Sequence, residues 1–105
     1  MTTFERKPPE ILHSEKRPGH YRIMIEDCAR NIHLRKQAAA LLMYYAEQAN
    51  HFRPALATVE RATSIPTQDV SKVRKRLHDH DLIAYHEYPG FIYISWRNIR
   101  AYARL

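Results

Sequence analysis

Apolar residues recur at helical spacing through the middle of the chain. In LRKQAAALLMYYAEQANHF, Leu34, Ala38, Leu41, Leu42 and Tyr45 fall on one wide stripe, and alanine is the strongest helix former. The pattern predicts a central helix with a broad buried side. Pro54 comes after its end and fits only a loop or the first turn of another helix. PALATVERATSI then predicts a shorter helix over about Ala55 to Ala62, with Leu56, Val59 and Ala62 on one face. Pro66 closes that segment by disfavouring helical geometry at Ile65. Thr67 suits the cap of a third helix, roughly Gln68 to His80, whose inner side is Val70, Val73 and Leu77. Leu82 and Ile83 follow at once and return the chain to the core.

The flanks are read from shorter patterns. HYRIMIED permits a short strand at Tyr21–Ile25 followed by a helical turn or two, or helix throughout. LIAYHEY and FIYIS are aromatic and β-branched, as strands favour, and they flank Pro89-Gly90, a turn pair, so a β-hairpin is expected. WRNIRAYARL predicts a short terminal helix with Ile99, Tyr102 and Leu105 on a stripe, and Trp96 is expected in the core. Residues 1–20 are polar, carry Pro8, Pro9, Pro18 and Gly19, and predict a flexible N-terminal arm ahead of one domain over 21–105. The expected fold is mainly α with a small β-hairpin. Two helices joined by a tight turn and followed by a hairpin make a winged helix-turn-helix, here backed by the longer central helix.

Composition narrows the class. A chain of 105 residues suggests a single domain, and 45% hydrophobic residues is ordinary for a globular fold. No apolar run is long enough to cross a bilayer, and the first twenty residues lack the apolar stretch of a signal peptide. Cys28 is the one cysteine and has no internal disulfide partner, so the reducing cytoplasm is the expected compartment. With 2 glycines there is no glycine-rich phosphate cradle. Lysine and arginine total 17 against 11 acids, a net charge of +6, which favours a polyanionic partner.

The third helix gives that charge a position. With Val70, Val73 and Leu77 turned inward, a rotation of about 100° per residue turns Gln68, Ser71, Lys72 and Lys75 outward, with Asp79 further along the same side. Arg74, Arg76 and His78 flank them. A helix with one apolar side and a polar, basic opposite side fits the major groove of duplex DNA. Gln68 suits a two-point contact with adenine, and Lys72 and Lys75 suit guanine edges or phosphates. Ser71 permits close approach. Thr67 and the amides at the helix start suit a phosphate, and Arg74 and Arg76 suit phosphate contacts more than base reading. The same run, KVRKR, is also what a merely solvated helix face looks like.

Other features add less. The hairpin stretch YHEYPGFIY has no lysine or arginine, so Tyr85, Tyr88 and Tyr93 read first as packing residues. Arg97, Arg100 and Arg104 recur beside the Ile99–Tyr102–Leu105 stripe, giving either a phosphate-facing row or an arginine-rimmed contact in a homodimer. His78 and His80 lie about 200° apart on a helix, and Cys28 has no thiol partner, so no closed metal site is expected and no cofactor is implied. Acids are scattered rather than clustered around a pocket, and an enzyme is not expected.

The run from Arg22 to Tyr85 resembles the N-terminal winged-helix domain of phage and plasmid replication proteins, with relatives among small prokaryotic transcription regulators. The resemblance is carried by apolar spacings: Ile23 to Ile25, then Leu34 and Ala38, then Leu41, Leu42 and Tyr45, then Pro54 and Val59, the turn Ser64-Ile65-Pro66, and Leu77, Leu82 and Ile83. It implies that Gln68, Ser71, Lys72 and Lys75 face DNA. The chain departs from the pattern where glycine is usual: it has Asp81 before Leu82-Ile83, and Ser64 in the turn. The expected function is sequence-specific binding of double-stranded DNA, as a transcriptional regulator or a replication or transfer accessory factor of a mobile element. The alternative is a winged-helix adaptor that docks a replication, transfer or transcription protein. Binding of single-stranded DNA on tyrosine platforms is a third reading.

Overall fold

The computed structural model describes residues 16–48, 54–85 and 92–105. It is mainly helical with one small hairpin, in the expected order. The first helix, α1 (Tyr21–Asn31), settles the ambiguity at HYRIMIED. Its buried residues are Met24, Ile25 and Cys28, a helical spacing, whereas a strand would have put Ile23 on the same side as Ile25. Ile23 is instead 62% exposed. No strand forms there. α1 ends with His33 at φ 56° and the Leu34 amide donating to the Ala29 carbonyl at 2.9 Å, a left-handed stop that satisfies a terminal carbonyl.

The central helix α2 (Lys36–Glu47) buries Ala38, Leu41, Leu42, Tyr45 and Ala46. Leu34 lies just ahead of it and packs on the core only in part. α3 (Leu56–Thr63) is anchored more sparsely than its spacing suggested. Val59 is buried, but Leu56 is 38% exposed and Ala62 is also exposed, so the shared face reaches the core at one residue. Ile65, fully buried in the turn, supplies the second anchor. That turn is fixed by Ser64 at φ 63° and by Thr63, whose Oγ1 donates to the Val59 carbonyl at 2.7 Å and accepts from the Ile65 amide at 3.3 Å.

α4 (Thr67–Asp79) buries Val70, Val73 and Leu77 as its pattern requires. It stops at Asp81, φ 57°, with the Leu82 amide donating to the Leu77 carbonyl at 3.1 Å. Two positions where glycine was missed in the sequence, Ser64 and Asp81, are thus both left-handed. The chain then forms β1 (Ile83–Tyr85), antiparallel to β2 (Ile92–Ile94), with Ile83 opposite Ile94, Ala84 opposite Tyr93 and Tyr85 opposite Ile92. Ile83, Ala84, Ile92, Tyr93 and Ile94 are all buried, so these strands do not alternate between a dry and a wet face. The Pro89-Gly90 tip lies outside the described residues, as do residues 1–15 of the expected arm.

α5 (Trp96–Ala103) is tied back at both ends. At its start the Ser95 Oγ accepts from the Asn98 amide at 3.3 Å, the Ser95 amide donates to the Leu82 carbonyl at 2.9 Å, and Asn98 Nδ2 donates to the Asp81 carbonyl at 2.7 Å. At its end Asn31 Nδ2 donates to the Tyr102 and Ala103 carbonyls at 3.0 and 3.1 Å, satisfying acceptors that a helix end leaves open. Trp96 is buried and meets Tyr21 edge to face, ring centres 6.2 Å apart. Tyr21 also carries the Arg17 guanidinium, 4.7 Å from its ring centre, while Arg17 Nη1 donates to the Ala46 carbonyl at 3.1 Å. The result is layered. α1 lies between α5 and α2, α2 lies between α1 and the α3–α4 pair, and the α5 backbone does not approach that of α3 or α4. No helix among the described residues is long and apolar enough to cross a membrane.

Candidate nucleic-acid interface

The α4 surface follows from its buried side. Val70 and Leu77 are fully buried and Val73 is 2% exposed, which fixes the helix about its own axis. Gln68, Ser71, Lys72 and Lys75 are consequently all exposed, on the side away from the core. Arg74 and Arg76 are half-buried at the edges of this face, their stems lying partly along the protein. The helix carries Lys72, Arg74, Lys75 and Arg76 against Asp69 and Asp79, so it remains net basic.

Two contacts change the chemistry expected from sequence. Lys75 Nζ lies 3.0 and 3.2 Å from the two carboxylate oxygens of Asp79, one helical turn on, and both side chains are well exposed. Part of the positive charge of Lys75 is therefore answered within the protein. Lys72 has no ion pair among the described residues. The second contact is at the start of the helix. Thr67 is the first helical residue and not the cap, a position taken by Pro66, which offers no side-chain hydrogen bond. Both the Thr67 amide and its hydroxyl donate to one oxygen of Glu60, on α3, at 2.7 and 3.0 Å. A carboxylate from the preceding helix does the capping, because α3 and α4 are held close by the Ser64–Pro66 turn. The donors assigned to a phosphate at Thr67 are thus already used.

Glu60 was not legible as a functional residue. It stands seven positions before Thr67 and fits no local capping pattern. The Lys75–Asp79 pair, in contrast, sits at a spacing at which helical side chains meet and was readable in principle.

The remaining assignments separate. Tyr93 is buried and serves the core. The Tyr85 side chain, His86, Glu87 and Tyr88 lie outside what is described. The stripe expected at a dimer contact is mostly spent inside the protomer: Ile99 is fully buried, Tyr102 packs half-buried against the core, and Leu105 alone is open, at 79% exposure. The reason is that α5 lies along α1 and needs its apolar side for that contact. Arg100 and Arg104 line a cavity of about 170 Å³ at the α1–α5 seam, with His20, Ile23, Met24, Asp27 and Ala103. Since the backbone of α5 packs along α1 and not along α3 or α4, these arginines belong to a different layer from the α4 face.

Cys28 is buried, and burial pushes its thiol up to about 12, so it is a neutral packing group at ordinary pH. Among the described residues no group of three or more His, Cys, Asp or Glu could hold a metal ion. No protein-family model, curated protein or solved structure matches this chain.

Proposed function

We propose that this is a winged helix-turn-helix protein that binds double-stranded DNA sequence-specifically, with α4 as the reading helix. It acts by binding and not by catalysis, as a transcriptional regulator or as a replication or transfer accessory factor of a mobile element. The observation that carries the reading is the exposed row Gln68, Ser71, Lys72 and Lys75 on a helix whose opposite side is locked by Val70, Val73 and Leu77. A helix so placed can enter a major groove without giving up any core contact. Gln68 and Ser71 supply base-edge contacts, Lys72 and Lys75 supply guanine or phosphate contacts, and Arg74 and Arg76 lie to the sides for the backbone.

The test is selection from a random duplex library followed by footprinting, with the affinity of the winning site measured across salt concentrations. A defined site whose binding weakens as salt rises is expected, since phosphate contacts release counterions. A palindromic site would add a homodimer to the reading. Absence of any enriched site, or affinity indifferent to salt, removes the proposal. The adaptor reading has its own support at α1 and the end of α5, where Ile23 and Leu105 are exposed. Retention of a protein partner with no retention on bulk duplex DNA would favour it.

A further inference from the structure

We infer that Glu60 sets the affinity and selectivity of the α4 face, by keeping DNA phosphates away from the start of the reading helix. The inference rests on the DNA-binding reading above. Its basis is a contact that closes the site from within. Glu60 Oε1 accepts from the Thr67 amide at 2.7 Å and from the Thr67 hydroxyl at 3.0 Å. Among the described residues Thr67 is the sole partner of this carboxylate, so no cation there cancels its charge. Glu60 is exposed and Gln68, the first base-reading candidate, is the residue after Thr67.

The backbone that carries this contact is anchored on both sides. Its neighbour Val59 is buried, the Thr63 hydroxyl ties the last turn of α3 to the turn that follows, and the buried Ile65 leads directly into α4. Glu60 therefore does not need to find Thr67 from solution. It presents a negative charge, hydrogen-bonded to Thr67, at the edge of a surface that must meet a polyanion. The backbone amides at a helix start ordinarily favour an anion of any source, including a phosphate of any sequence. Here the protein supplies the anion itself. The first turn of α4 is left to distinguish bases through Gln68, while attraction to the backbone depends on Lys72, Lys75, Arg74 and Arg76. Glu60 thus lowers binding to every duplex, and it lowers non-specific binding most, because non-specific complexes depend almost wholly on phosphate attraction.

The experiment compares wild type, Glu60→Gln and Glu26→Gln by fluorescence anisotropy, on the selected duplex and on a mixed-sequence duplex at equal salt. Glu60→Gln keeps an oxygen that can accept from Thr67 and removes the charge. Glu26, exposed on α1, is the control for a change in net charge alone. Thermal melting establishes that each variant is folded. Glu60→Gln is expected to tighten binding to the mixed-sequence duplex by about three- to tenfold, and to the selected duplex by less, while Glu26→Gln changes both little. If wild type binds salt-dependently and Glu60→Gln binds no tighter, or if Glu26→Gln tightens binding equally, the role of Glu60 is refuted and the DNA reading stands. If neither wild type nor Glu60→Gln binds duplex DNA, the DNA reading fails and this inference falls with it.

Discussion

If α4 reads DNA as proposed, Lys72 and Lys75, neighbours on its exposed side, should not contribute equally to binding. Lys72 has no ion pair among the described residues, whereas Lys75 Nζ rests 3.0 Å from Asp79. A phosphate contact steepens the fall of log affinity with log salt by about 0.9, which amounts to about fivefold in affinity at 0.15 M salt relative to 1 M. Lys72→Ala should forfeit that whole factor. For Lys75, binding DNA means leaving an exposed ion pair worth about 0.3–0.5 kcal/mol, a factor of about two. Lys75→Ala should therefore weaken binding by only about two- to threefold, and Asp79→Asn should strengthen it by about twofold by releasing Lys75. Anisotropy titrations of a labelled duplex over a range of salt give both quantities: the affinity ratio at 0.15 M, and the slope, which should be shallower by about 0.9 for Lys72→Ala. The reasoning is refuted if Lys75→Ala costs as much as Lys72→Ala, or if Lys72→Ala leaves the slope unchanged.

Two further predictions concern stability. Ser64 sits at φ 63°, where a side chain costs about 1–2 kcal/mol relative to glycine, and glycine's extra freedom in the unfolded chain takes back about 0.4–1. Ser64→Gly should thus stabilise the protein by about 0.5–1 kcal/mol and raise the melting temperature by a few degrees, while an unchanged or lower midpoint in urea melts contradicts it. Cys28 has its thiol pushed from 9.0 up to about 12, so burial of the neutral thiol favours the folded state fully below pH 9 and progressively less between pH 9 and 12. The stability lost on Cys28→Ala should accordingly be smaller at pH 10 than at pH 7, by about 1.4 kcal/mol, and urea melts of both proteins at the two pH values would show an equal loss if the thiol were not so held.

The sequence by itself determined helices α2 to α5 and the rotation of α4. Val70, Val73 and Leu77 recur too regularly for α4 to turn any other side inward, so the exposure of Gln68, Ser71, Lys72 and Lys75 followed from spacing alone. The hairpin was likewise legible as two β-branched segments about a turn pair, and its antiparallel pairing is observed at Ile83 with Ile94. At HYRIMIED the pattern was too short to choose between strand and helix. The choice fell to packing, because α5 and α2 both lie against α1 and only a helix brings Met24, Ile25 and Cys28 to the core together.

What only the tertiary structure decided is where elements distant in sequence meet. Ile99 looked available on an isolated helix, but α5 lies along α1 and uses it in the core. The hairpin was read as two strands about a turn, and the fold buries Ile83, Ala84, Ile92, Tyr93 and Ile94 on both of its faces. Thr67 looked like a cap with a free amide behind it, but Glu60 arrives from the previous helix and takes both donors. Periodicity reports the side of an element that prefers to leave water, which is a local property of its residues. Which neighbour covers that side, and which charge ends up beside which donor, depends on how the layers stack, and no single stretch of the chain encodes that.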